Sequence, residues 1–119
     1  MSKEELDFQL LRQLNEQPAA SQRKLAENLG VSVGKLNYCL RALVDRGWVK
    51  ANNFRRSDNK WAYAYLLTPR GLSAKLRLTS TFLRRKEREF EELQTQISAL
   101  RIELSTSSGE VAAPIKRKS

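Results

Sequence analysis

Residues 20–48, ASQRKLAENLGVSVGKLNYCLRALVDRGW, decide the fold. Ser21 has the side chain of a helix N-cap, Leu25, Ala26 and Leu29 form one short apolar stripe, and Gly30 supplies the left-handed residue that ends a helix. Val31 fills the turn. Ser32 caps a second helix whose apolar positions Val33, Leu36, Leu40, Leu43 and Val44 recur with a 3.6-residue period up to Gly47. Helix, glycine-containing turn and helix make a helix-turn-helix.

At 100° per residue, the face opposite that second stripe carries Gly34, Asn37, Tyr38, Arg41 and Asp45, with Lys35 on its flank. These side chains suit a DNA groove. Arg41 can contact guanine bidentately, Asn37 can read adenine, Lys35 and Tyr38 can reach phosphates or thymine methyls, and Gly34 permits close backbone approach. Ser32 belongs to this set as the cap at the helix start, and Ser21, Gln22 and Arg23 at the start of the preceding helix complete it. Any amphipathic surface helix also has a polar face, so the flanking sequence carries weight.

Working outward, Ser2 to Glu5 has the form of a capping box, and Leu6, Phe8, Leu10, Leu11 and Leu14 give a first helix that ends before Pro18. It is expected to close a three-helix core with Leu25, Leu29, Leu36, Leu40 and Leu43. After Gly47 the pattern becomes strand-like, with Trp48, Val49, Ala51 and Phe54 before a polar tip and Trp61, Tyr63, Tyr65, Leu66 and Leu67 after it. The tip, Arg55-Arg56-Ser57-Asp58-Asn59-Lys60, offers Arg55, Arg56, Asn59 and Lys60 to a phosphate backbone or minor groove. Trp61, Tyr63 and Tyr65 could stack on unpaired bases, although aromatic residues in short strands more often pack.

Thr68-Pro69 starts a last helix as N-cap and N1 proline. Leu72, Leu76, Thr79, Leu83, Lys86, Phe90, Leu93, Ile97, Leu100 and Leu104 follow at 4,3 spacing, the a/d seam of a coiled coil, interrupted by Thr79 and Lys86. Leu72, Leu76, Leu83, Phe90, Leu93, Ile97, Leu100 and Leu104 are the expected dimerisation residues. Arg84, Arg85 and Arg88 lie near Glu89, Glu91 and Glu92 and read as a solvated or Glu-paired face. From Ser105 the sequence reads as a disordered tail ending in Lys116-Arg117-Lys118.

The net charge of +9 is spread over the chain, +4 in residues 1–68, +3 in 69–104 and +2 in 105–119. It favours an anionic partner. No run is apolar enough for a membrane span and no signal-peptide core follows Met1, so a cytoplasmic location is the default. Histidine is absent and Cys39 is the only cysteine, which rules out an internal disulfide and a cysteine-built metal site within one chain. Cys39 lies on the recognition helix, where a thiol sensor is one reading, but at the edge of the apolar stripe a small buried residue is the favoured one. With no nucleophile and base pair evident, the sequence implies no enzyme, no metal and no cofactor.

With these parts in view, the chain resembles the MarR-like winged helix-turn-helix regulators, in particular the bacterial MarR-family EPS-associated (exopolysaccharide-associated) transcriptional regulators. The resemblance spans roughly residues 4–104. It rests on residues 21–26, 29–40, 47–50 and 53–60 and on Leu67-Thr68-Pro69-Arg70-Gly71. It implies a dimeric DNA-binding regulator of an exopolysaccharide gene cluster, with the second motif helix in the major groove and the wing beside it. Long MarR proteins dimerise through helices at both chain ends; here one short helix precedes the motif, so dimerisation falls on the C-terminal helix.

The expected architecture is mainly α: a winged helix-turn-helix over 1–68, a dimerisation helix over 69–104 and a basic tail over 105–119. The expected partners are double-stranded DNA with a palindromic operator and a second copy of the chain, with no membrane; an effector is not legible. Two other readings stay open, a winged domain that binds protein and a single-stranded nucleic-acid binder.

Overall fold

The computed structural model describes residues 1–59 and 61–111. Its order is α1 (Lys3–Glu16), α2 (Gln22–Leu29), α3 (Val33–Asp45), β1 (Val49–Arg55), β2 (Trp61–Leu67) and α4 (Pro69–Val111). The chain divides into two compact units, Met1–Ser80 and Thr81–Ser119. Helix α4 continues past Leu104 to Val111, so the residues from Ser105 to Val111, expected in a disordered tail, are helical; Lys116-Arg117-Lys118 lie outside the described residues.

Each of the first three helices starts on a serine whose hydroxyl accepts a backbone N–H three residues on: Ser2 from Glu5, Ser21 from Lys24 and Ser32 from Lys35, at 3.0–3.1 Å. Each hydroxyl satisfies one of the donors that a helix start leaves unpaired. Gly30, at φ 69°, closes α2 and lets the N–H of Val31 reach Ala26 O. That tight closure sets α3 directly after α2.

Helix α1 packs against α2, α3 and β2, and the core of the first unit holds Leu6, Phe8, Leu10, Leu11 and Leu14 with Leu25, Ala26, Leu36, Cys39, Leu40, Leu43 and Val49. Two members of the expected α3 stripe do not join it. Val33 and Val44 are exposed. Val33 precedes the first buried turn and Val44 sits a position beyond Leu43, so both fall off the narrow arc that α1 and α2 cover.

The core includes one carboxylate. Asp7 is 5% exposed, and Arg46 Nη1 donates to its Oδ2 at 3.1 Å. Its Oδ1 is buried without a hydrogen bond among the described residues. The Arg46 guanidinium also lies 5.0 Å from the centre of the Trp48 ring, with Arg77 at 5.9 Å. This pairing ties α1 to the end of α3 across 39 positions of sequence.

Strands β1 and β2 form an antiparallel hairpin in register Val49↔Leu67 to Arg55↔Trp61. A tight turn closes it, with Asn59 N–H donating to Arg56 O at 2.9 Å and Asn59 at φ 66°. The hairpin runs into α4 through a junction built on Thr68. Its backbone N–H donates to Trp48 O at 3.0 Å, its hydroxyl donates to Gly47 O at 2.5 Å, and the same hydroxyl oxygen accepts Gly71 N–H at 3.1 Å. Gly71 is required here. A Cβ on it would stand 1.9 Å from Trp48 O, well inside contact distance. The Thr-Pro-x-Gly element thus caps the helix and admits the backbone of the preceding turn.

Candidate nucleic-acid interface

On α3, Ser32, Gly34, Lys35, Tyr38 and Arg41 are exposed, as the sequence reading requires of a docking face. Tyr38 is 70% exposed, and Lys35 and Arg41 make no ion pair among the described residues. Their charges are therefore open to an external anion. Gly34 has nothing within 4 Å of a built Cβ and no left-handed backbone. Nothing among the described residues requires glycine there.

Asn37 departs from that simple picture. It is half-buried, and its Nδ2 donates to Gln22 Oε1 at 3.1 Å, while Gln22 Nε2 donates to Tyr65 Oη at 3.3 Å. Asn37 of α3, Gln22 of α2 and Tyr65 of β2 form one polar chain. Sequence spacing gives no hint of it, because its members lie 15 and 43 positions apart.

Around Gln22 the start of α2 and the hairpin enclose an open groove of about 750 Å³, lined in part by Ser21, Arg55, Arg56, Tyr63 and Tyr65. Tyr63 and Tyr65 stack with ring centres 6.2 Å apart, and Tyr63 is exposed. Ser21 is occupied as the α2 cap, and Arg23 is exposed beside it. The wing arginines are partly engaged at home: Arg55 Nη1 donates to Asn59 Oδ1 at 2.8 Å and Arg56 Nη2 lies 3.1 Å from Asp58 Oδ2. Both pairs are exposed, so their net worth is small and an external phosphate competes with them readily. Lys60 and the Trp61 side chain lie outside what is described.

The predicted α4 seam is exposed throughout, with Leu93 at 52% and Ile97 at 40%. Leu72, Leu76, Leu83, Phe90, Leu100 and Leu104 are exposed as well. A different face, Gly71, Ala74 and Leu78, is buried in the first unit, which the a/d reading overlooked. Small residues at 71 and 74 were its signal. In the arginine cluster, Lys86 Nζ pairs with Glu89 at 3.2 Å and Arg85 lies over the Phe82 ring at 4.6 Å. Cys39 is buried, and burial pushes its thiol up, helped by the Asp7 carboxylate. A raised thiol is a poor nucleophile.

Three helices, a tight α2–α3 turn, a two-stranded hairpin with a basic tip and a following helix now stand together. The fold is a winged helix-turn-helix. A family model described as winged helix-turn-helix DNA-binding matches residues 3–50. Among solved structures, this winged helix-turn-helix chain is similar to the PcaV transcriptional regulator from Streptomyces coelicolor at TM-score 0.63 and 20% identity, over 92% of this chain and 79% of that one. It is similar to the transcriptional regulator SlyA at TM-score 0.63 and 19% identity, over 88% and 73%. A MarR family protein of Mycobacterium tuberculosis, solved with salicylic acid, aligns at TM-score 0.52 and 25% identity, over 77% and 75%. No curated protein matches the sequence. The chain is thus a winged helix-turn-helix protein with MarR-family regulators among its structural neighbours. None of the helices among the described residues is long and apolar enough to cross a membrane.

Proposed function

We propose that the chain is a MarR-type transcription regulator that binds double-stranded DNA sequence-specifically as a homodimer. The observation that carries the reading is the bare face of α3, where Lys35, Tyr38 and Arg41 are exposed beside a glycine that no internal contact requires. A helix glycine costs stability, up to about 1 kcal/mol against alanine, so its use there fits a demand from outside the chain. Arg41, Tyr38 and Lys35 enter the major groove, Arg23, the hydroxyl groups of Ser21 and Ser32 and the backbone N–H of Gln22 meet the phosphates, and Arg55, Arg56, Asn59 and Lys60 of the wing meet the adjoining backbone or minor groove.

The exposed seam of α4 supports the dimer. Leu83, Phe90, Leu93, Ile97, Leu100 and Leu104 repeat as a and d positions, and the occupant that matches a heptad seam is a second copy of the same helix. Burying each half-exposed side chain is worth about 1–2 kcal/mol. Residues 1–68 then act as the DNA-binding domain and α4 as the dimerisation element. Two-fold symmetry makes the operator palindromic, with half-site centres about 10 bp or a multiple apart. Repression by occupying a promoter is the simplest outcome of such binding. The likeness of the motif segments to exopolysaccharide-associated regulators makes an exopolysaccharide gene cluster the first place to look for the operator.

Selection of bound sequences from randomised duplexes tests this. An enriched palindrome supports the reading; recovery of unselected sequence, or preference for single strands, would refute it. Loss of function on disrupting Leu93 and Ile97 with no effect from Arg41, Arg55 and Arg56 would favour a protein-binding module instead.

A further inference from the structure

The polar chain Tyr65–Gln22–Asn37 has a direction. Asn37 donates from Nδ2 to Gln22 Oε1, and Gln22 donates from Nε2 to Tyr65 Oη. Every donor points from α3 toward the wing, so the hydroxyl proton of Tyr65 is left for a further acceptor, and among the described residues it has none. Tyr65 lines the same groove as Arg55, Arg56 and Ser21. A phosphate held there by the arginines is acceptor-only and can take that proton.

Hydrogen-bond chains of this kind run in one of two senses. If the phosphate accepts from Tyr65, the Tyr65 oxygen must accept from Gln22, the Gln22 amide must turn its oxygen to Asn37, and Asn37 must donate from its nitrogen. Asn37 spends one Nδ2 proton on Gln22 and keeps Oδ1 with the second proton. Oδ1 takes no hydrogen bond among the described residues. In the reverse sense Oδ1 would be spent on Gln22 and the NH₂ group would face outward. The first arrangement accepts from an exocyclic amino group, adenine N6 or cytosine N4; the second donates to a carbonyl, guanine O6 or thymine O4.

We propose that Gln22 and Tyr65 are positioning residues that fix the sense of the Asn37 amide, so that a backbone phosphate at the wing selects an amino-bearing base, adenine above all, at one position of each half-site. This rests on the duplex-binding reading above. The chain explains why a half-buried tyrosine of the wing and a glutamine of α2 meet the one amide on the recognition helix, which separate phosphate contacts would not require.

The test is selection from randomised duplexes with the full chain and three variants, each first shown by circular dichroism to melt as the parent does. Asn37→Ala identifies the base column that Asn37 reads, by flattening it. Tyr65→Phe removes the phosphate-to-chain link and is expected to blur that same column, from the roughly 5- to 150-fold preference of a good base contact to about 3-fold or less, leaving the other columns sharp. Gln22→Glu presents only acceptors to Asn37, holds its amide in the same sense, and is expected to keep the column while weakening affinity through its added charge. A merely structural role for Gln22 would not separate these two variants. A Tyr65→Phe column as sharp as the parent's, or a column lost in Gln22→Glu, overturns the inference while leaving duplex recognition standing. A parent with no sequence preference overturns both.

Discussion

Replacing Gly71 by alanine probes the junction on which the winged domain and α4 meet. The added Cβ would lie 1.9 Å from Trp48 O, 2.9 Å from Trp48 C and 3.2 Å from Trp48 Cα. Carbon and oxygen settle near 3.2–3.5 Å, so one side must retreat by more than about 1 Å. Retreat is costly, because Trp48 O accepts Thr68 N–H at 3.0 Å and Trp48 N–H is anchored on Leu43 O at 3.1 Å. Overpacking costs about 1–3 kcal/mol, and losing the Thr68 bond costs about 1 kcal/mol more. The better helix propensity of alanine returns at most about 1 kcal/mol. The net loss is about 1–3 kcal/mol, which lowers Tm by roughly 5–20 °C for a unit of this size. Thermal unfolding followed by circular dichroism reads it directly. Gly34→Ala is the internal control, since a Cβ there has nothing within 4 Å; it is expected to hold or raise Tm. A Gly71→Ala protein that melts at or above the parent temperature would refute the packing argument for the Thr-Pro-x-Gly element.

Four further outcomes follow from the same geometry. Asp7→Leu strands the Arg46 guanidinium and should cost about 1–3 kcal/mol in urea unfolding, whereas Asp7→Leu with Arg46→Met should recover most of it; equal losses would show the pair contributes nothing of its own. Because burial raises the Cys39 thiol, the unfolded chain ionises first and releases its proton, so this group's contribution is intact below its ordinary thiol range and is lost as pH climbs through it toward the folded value. Native Cys39 should react with a thiol reagent at least about 100-fold more slowly than in urea, which a stopped-flow comparison decides. In the proposed dimer, Leu93→Asp with Ile97→Asp removes about 1–2 kcal/mol of burial per side chain per copy and places four charges in the seam, so sedimentation should show a shift to the 13.7 kDa monomer. Arg55→Ala and Arg56→Ala should each reduce the salt dependence of DNA binding by about one ion, while Arg41→Ala relaxes the sequence preference.

The local punctuation of this fold is written in its sequence. Ser2, Ser21 and Ser32 act through bonds three residues long, and Gly30 through its own φ, so each is legible without knowing what lies across the core. The helix that carries the exposed leucines of α4 was legible for the same reason, as a period. What was hidden depends on partners distant in sequence. Asp7 reads as one more polar residue of an amphipathic helix until Arg46 is brought beside it, and Asn37 reads as a free reader of bases until α2 delivers Gln22. Val33 and Val44 fit the period of α3 and yet are exposed, because a period gives the direction of a buried face and not its width. The packing face Gly71, Ala74 and Leu78 lay under the stronger leucine pattern of the same helix, and only the Trp48 carbonyl shows why two of its residues are small.

In the proposed function, two copies of this winged helix-turn-helix read one duplex. It is tested most directly by anisotropy titration of the purified chain against the selected palindrome, a single half-site and random duplex at two salt concentrations, with the stoichiometry measured at saturation. The expected result is two chains per palindrome, binding at least about a thousand times tighter than to random duplex, a marked loss on removing one half-site, and affinity that falls steeply with salt. Equal, salt-sensitive binding to all three duplexes would contradict it, and would leave only a basic protein attracted to DNA.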